Sequence, residues 1–230
     1  MTTGNNLLDG LPIDELNQLQ PHLEIVRLEP KRFFLPANEP LTHVYFPRHG
    51  LMSLRVAVIE GAGVQAAAVG RDGMLGVSAI LEANDPPFEI ICLVSGDALR
   101  MPIARFASYA HELPIFQLRL LRYAHALFNE AVRTAACNGL HPVDQRLARC
   151  LLLARDRLKT ETFPLTHDAL AHMLGATRAL VTQTLTRLES CGLIKHKRGV
   201  LHVADSATLE DIVACEDYRA IQRDYARLLG

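Results

Sequence analysis

Arg178, Thr182, Gln183, Thr186 and Arg187 recur at helical spacing, so one helix would present all five on a single polar face. Arg and Gln can each make two hydrogen bonds to a base edge in a major groove, and Thr can meet either a base or a phosphate. The run LIKHKRGVLHV, residues 193–203, reads as strand, turn, strand with Lys197-Arg198-Gly199 at its tip. In that arrangement Lys195, Lys197 and Arg198 reach flanking phosphates. From Asp144 to Ala204 ten Lys/Arg stand against five Asp/Glu, a local excess of five on a chain whose total is −1. Local sign matters more than total charge for steering onto a polyanion. The expected DNA contacts are Thr166, Thr177, Arg178, Thr182, Gln183, Thr186, Arg187, Lys195, Lys197 and Arg198.

Two short helices must set those side chains. Thr166 suits the N-cap of the first, with Leu165 and Leu170 placed to close a hydrophobic staple. Leu170, Ala171 and Leu174 share one side of it, and Gly175 supplies the tight turn that stops it. Thr177 caps the second helix, whose inward stripe is Val181, Leu185 and Leu188. Cys191-Gly192 ends that helix, with Gly at the C′ position. The spacing of Ala171, Gly175 and Val181 puts a small residue, a turn residue and a β-branched residue where two helices cross. Helix, turn, helix and a basic hairpin together predict a winged helix-turn-helix.

This segment resembles the DNA-binding domain of the CRP/FNR family of bacterial transcription regulators. The resemblance implies a sensory β-roll, then a long dimerisation helix, then this module. It implies a parallel homodimer on a pseudo-palindromic site in double-stranded DNA, with RNA polymerase as a further partner. Arg178 matches the family's base-reading Arg, whereas Ala179 and Gln183 stand where many members carry a Glu and a further Arg. The target site is therefore expected to differ from the best-known consensus.

The Gly-rich run GRDGMLGVSAI, residues 70–80, falls where the family's cyclic-nucleotide binders hold the ligand phosphate. Those binders use a Glu and an Arg-Ser pair; here Val77 and Pro87-Phe88 stand at the matching positions. With no Arg to pair a buried phosphate, the sequence argues against cyclic AMP and leaves the effector unknown. The expected effector pocket comprises Gly73, Leu75, Gly76, Val77, Ser78, Phe88 and His125. Members that sense oxygen through an iron–sulfur cluster need an N-terminal cysteine group. Nothing before Cys92 supplies one.

The 230 residues suffice for one large or two modest domains, and 49% hydrophobic with 21% charged residues is a soluble globular composition. No window reaches a membrane span, and MTTGNNLLDGLP lacks a signal-peptide pattern, so a cytoplasmic location is expected, with no membrane partner. Cys92, Cys137, Cys150, Cys191 and Cys215 are scattered, without a C-x-x-C pair, and read as reduced, mostly buried thiols. The ten histidines read as unpaired with carboxylate or cysteine at metal-ligand spacing, so no metal is expected. No P-loop, nucleophile elbow or Rossmann fingerprint appears, and an enzyme is not expected.

The rest of the chain supplies the frame. Residues 11–19 read as a short amphipathic helix. Five β-type runs follow, at 23–28, 44–46, 51–59, 64–69 and 90–94, punctuated by Gly50, Gly61, Gly63, Gly70, Gly73 and Gly96. Such strands suggest a barrel, sandwich or roll. A long helix from Pro114 to about Cys137 carries Leu118, Leu121, His125, Phe128, Val132 and Ala135 at alternating steps of three and four, a two-stranded coiled-coil seam. Leu120, Ala124, Leu127 and Ala131 form a second stripe able to pack on the β domain. His125 on the seam could face its own copy or the sensory pocket, where protonation acts as a switch. Asn138 to Pro142 is expected to break this helix as a hinge, and residues 143–158 and 206–229 read as further helical segments.

The expected fold class is therefore α+β: an N-terminal, jelly-roll-like β-roll (1–110), a dimerisation helix (111–138) and a winged helix-turn-helix with a C-terminal helical extension (139–230). Two rival readings remain at this level. One is a β-roll protein whose C-terminal module contacts a protein partner; the other is a metal-dependent β-barrel enzyme.

Overall fold

The computed structural model describes residues 2–29, 33–59, 62–83, 85–213 and 216–229. Gly61 and Cys215, both named above, lie outside the described residues. Helices α1 (Asn6–Asp9) and α2 (Ile13–Leu19) lead into strands β1 (Glu24–Leu28), β2 (Phe33–Leu35), β3 (His43–Ile59), β4 (Ala62–Val69) and β5 (Glu89–Pro102). Helix α3 (Ile103–Glu112) joins the sheet to the long α4 (Pro114–Leu140). Then come α5 (Val143–Leu158), β6 (Thr162–Pro164), α6 (His167–Leu174), α7 (Arg178–Ser190), β7 (Ile194–Lys197), β8 (Val200–Val203), α8 (Ser206–Val213) and α9 (Asp217–Leu229).

The strands build an antiparallel sheet in the order β1-β5-β3-β4, with β2 also on β5. The runs expected at 44–46 and 51–59 are one strand, because Gly50 is a kink inside β3 and not a turn between strands. Its φ of +94° and three register shifts between Pro47 and Met52 bend β3 where it passes Gly96 of β5. A Cβ on Gly50 would come 2.7 Å from the Val94 carbonyl, so only a glycine allows the two backbones this close. The last run is longer than expected, since β5 continues to Pro102. Helix α3 was not anticipated, although Phe106 and Ala110, four apart, are its buried face.

The long helix also differs at its end. The break expected over Asn138–Pro142 falls at the far end of that run, and α4 continues past Gly139 to Leu140. The chain turns only at His141, whose extended backbone (φ −104°, ψ 144°) is what a following proline enforces. One face of α4 buries Phe116, Leu120, Tyr123 and Ala126 against the roll and the N-terminal helices. The C-terminal extension is two helices: α9 packs on α4, and α8 on α5. No helix among the described residues is long and apolar enough to cross a membrane.

The two domains share one core. Leu51, Ala68 and Val94 of the sheet join the cluster formed by Leu147, Leu151, Leu170, Val181, Leu185 and Leu201. Each such Leu or Val side chain, fully buried, contributes about 1.5–3 kcal/mol.

Candidate nucleic-acid interface

Helices α6 and α7 form at the predicted residues. Thr166 caps α6 by accepting a hydrogen bond from Ala169 N (3.2 Å), and Thr177 caps α7 by accepting one from Leu180 N (3.3 Å). Gly175 between them has φ +57°, a left-handed angle. Arg146 of α5 donates to the Leu174 carbonyl (2.9 Å), filling an acceptor that the end of α6 leaves open. Val181, Leu185 and Leu188 are buried as expected, with Thr184 beside them.

The opposite face of α7 is open. Arg178, Thr182, Gln183, Thr186 and Arg187 are all exposed, as are Thr177, Lys195, Lys197 and Arg198. The wing is β7 paired with β8 through a two-residue turn at Arg198-Gly199, both with positive φ (51° and 77°). That turn matches the right-handed twist of a hairpin and pushes the basic tip outward. Strand β6, missed in the sequence for its brevity, pairs with β8 and fixes the wing to the helices. Thr166 is half-buried and faces a cavity of about 620 Å³ between α6 and the sheet, also lined by Ser53, Arg55, Cys92 and His172.

Two features escaped the sequence reading. Asp168 of α6 lies 3.5 Å from Arg178 Nε at the start of α7, an ion pair between two exposed side chains. Two histidines join α6, α7 and the wing: His167 Nδ1 is 2.8 Å from Thr182 Oγ1, and its Nε2 is 3.3 Å from His196 Nδ1. Thr182 gives its own hydroxyl proton to the Arg178 carbonyl (2.9 Å). His167 Nδ1–H therefore donates to Thr182, and His167 Nε2 accepts from His196 Nδ1–H. Desolvation, then the neighbouring His196 and Arg178, hold the His167 pKa below its ordinary value, with Asp168 opposing.

The expected effector residues are only partly together. Leu75, Gly76, Val77, Ser78 and Phe88 line a cavity of about 340 Å³ closed by Ala124, Leu127, Phe128 and Ala131 of α4. Its described lining has no Lys or Arg. Gly73 lies elsewhere, backed onto Tyr123, and His125 points away, bonded to Asn129 (3.3 Å). The expected seam of α4 is exposed along its length, at Leu118, Leu121, His125, Phe128, Val132 and Ala135.

The structure joins a winged helix-turn-helix to a β-roll through one long helix. Residues 145–212 match the family model of the Crp-like helix-turn-helix domain. A crp/fnr-family transcriptional regulator from Eubacterium rectale ATCC 33656 superposes with a TM-score of 0.70 at 18% identity, covering 93% of this chain and 100% of its own. FixK2 from Bradyrhizobium japonicum gives 0.73 at 14% identity, covering 84% and 98%. The c-di-GMP responsive global regulator CLP of Xanthomonas campestris gives 0.68 at 13%, covering 84% and 99%. At these identities the likeness is one of fold. No curated protein sequence matches the chain.

Proposed function

We propose that this protein is a homodimeric, sequence-specific DNA-binding transcription regulator acting in the cytoplasm, with RNA polymerase as its downstream partner. One observation carries the reading: α7 buries Val181, Leu185 and Leu188 and leaves its Arg, Gln and Thr face bare beside the basic wing. Two copies joined along the exposed α4 seam would set their α7 helices on successive major grooves, which requires a separation of roughly 34–36 Å. The apolar cavity under α4 is the effector site in this reading, and its lining favours an uncharged, apolar molecule over a cyclic mononucleotide. Such a ligand acts through its differential affinity for states that differ in the spacing of the two reading helices.

Mapping of genomic fragments bound by the purified protein, followed by gel shifts on the recovered sites, tests the proposal. A two-fold symmetric motif bound by a dimer is the expected result. Uniform affinity for all fragments, or discrete binding by a monomer, contradicts it.

A further inference from the structure

Behind the DNA-facing surface, the end of α4 meets the start of α9. Cys137 lies fully buried in the last turns of α4. His141, four residues on, stands just past the helix end, with its backbone N–H on the Cys137 carbonyl (3.0 Å) and its Nδ1 3.1 Å from Cys137 Sγ. Asp217, the first residue of α9, brings a carboxylate oxygen to the same place, and the three ligand atoms all lie within 4.8 Å of one another. The step of four between Cys137 and His141 was in the sequence, but Asp217, some eighty residues on, was not connectable to it without the fold.

We propose that Cys137, His141 and Asp217 bind a divalent transition-metal ion of the zinc and cobalt class. Thiolate, imidazole and carboxylate together suit these borderline-soft ions, whereas magnesium and calcium take oxygen ligands. Metal–ligand lengths of about 2.0–2.3 Å in a tetrahedron put neighbouring ligand atoms roughly 3.3–3.7 Å apart. The Cys137–His141 pair is already close to that spacing, and an Asp217 carboxylate oxygen lies within 4.8 Å of both. Arg133 Nη1, 3.2 Å from Asp217 Oδ1, orients the carboxylate and leaves its other oxygen for the ion. His141 and Asp217 are partly buried, with the Asp217 side chain still 20% exposed, so solvent reaches the edge of the site.

The site straddles the joint where α4 hands over to α5, and it ties that joint to α9. A bound ion pins the angle between the long helix and the winged domain. This regulatory consequence rests on the function proposed above; the ion site itself does not.

The test is a titration of the reduced, chelator-stripped full chain with Co²⁺, read by absorbance, followed by displacement with Zn²⁺. One Co²⁺ per chain, with thiolate charge-transfer and tetrahedral visible bands, is expected. Cys137→Ser should abolish the charge-transfer band, whereas Cys191→Ser, at an exposed thiol, should leave it unchanged. His141→Ala and Asp217→Asn change only partly buried side chains, so they keep the test open if Cys137→Ser fails to fold. Each should weaken binding by more than the roughly 10–100-fold that loss of an outer partner costs. Zn²⁺ should raise the melting temperature of the wild type but not of Asp217→Asn. Absence of the band in the wild type, or its survival in the folded Cys137→Ser chain, overturns the site. Gel shifts with and without Zn²⁺ read the DNA function separately: a chain that binds Co²⁺ as described but no discrete DNA keeps the ion site and loses the regulatory reading.

Discussion

Glu130 of the long helix and Arg157 of the first helix of the winged domain form an ion pair at 2.6 Å with almost no solvent access (1% and 3% exposed). Both carboxylate oxygens are engaged: Oε1 accepts from Arg157 Nη1 and from Ala68 N, and Oε2 accepts from Arg157 Nη2 and Tyr225 Oη. Arg157 Nε reaches Asp72 of the roll at 3.1 Å. Burial alone would lower the Arg157 pKa, but Glu130 and Asp72 reverse this and hold it well above its ordinary value. The roll, α4, α5 and α9 thus meet on one guanidinium. Removing one partner strands a buried charge, so Glu130→Ala should cost about 3–5 kcal/mol in urea unfolding. Tyr225→Phe removes a single hydrogen bond to the same carboxylate and should cost about 1–3 kcal/mol. A Glu130→Ala loss no larger than that of Tyr225→Phe would show that the pair is not closed in solution.

The bare face of α7 makes separable predictions. Arg178→Ala should weaken binding to a specific site by about 1–3 kcal/mol and leave random DNA nearly unaffected. Lys197→Ala at the wing tip should weaken binding to all sequences alike and reduce the salt slope by about one. Affinities on specific and random duplexes across a salt series distinguish the two. Equal losses on both duplexes for Arg178→Ala would remove that residue from base reading.

The His167–His196 contact predicts a pH dependence. Because the folded pKa of His167 is lowered, the unfolded chain takes up the proton first as pH falls. Its contribution to stability is therefore complete above the unfolded value of about 6.5 and is lost on further acidification. Protonation also spoils the acceptor that His167 Nε2 offers His196. Melting temperatures measured from about pH 7.5 to 5 should fall, and His167→Gln should flatten that fall. An unchanged slope in the variant would mean that this pair titrates alike in both states.

How much of this was legible in the sequence follows the range of the interactions. Helices α5, α6 and α7, their Thr166 and Thr177 caps and the Gly175 turn are encoded by neighbours within four residues, and the chain states them directly. Gly50 misled because a kink in a strand and a turn between strands use the same residue; only its partner Gly96 in β5 tells them apart. Gly139 misled in the opposite way. A glycine inside a helix costs only about 1 kcal/mol, and the proline two residues beyond Leu140 sets the stop. His125 was placed in the pocket because the seam and the pocket-facing stripe are neighbours on one helix. Leu127 and Ala131 line the cavity, and His125 lies a third of a turn or more away from both, beside Asn129. The contacts of His167 with His196, and of Glu130 with Arg157, join residues 29 and 27 apart across different elements, and no local pattern announces them.

The α4 seam gives the last prediction. Phe128 is 65% exposed and Leu121 and Val132 about half, whereas Leu120, Tyr123 and Ala126 on the facing side are fully buried. A helix with an apolar stripe on each side has more apolar surface than its own chain covers, and heptad spacing fits a parallel copy of itself. A charge at the centre of that seam would be desolvated against its own twin, whereas in the lone chain it stays in water. Leu121→Glu should therefore leave the monomer folded, with unchanged helix content, while shifting the mass measured by light scattering from dimer to monomer. Specific DNA affinity should fall with it, because a lone winged domain reaches only one half-site. A Leu121→Glu chain that stays dimeric would place the interface elsewhere, and with it the spacing of the two reading helices.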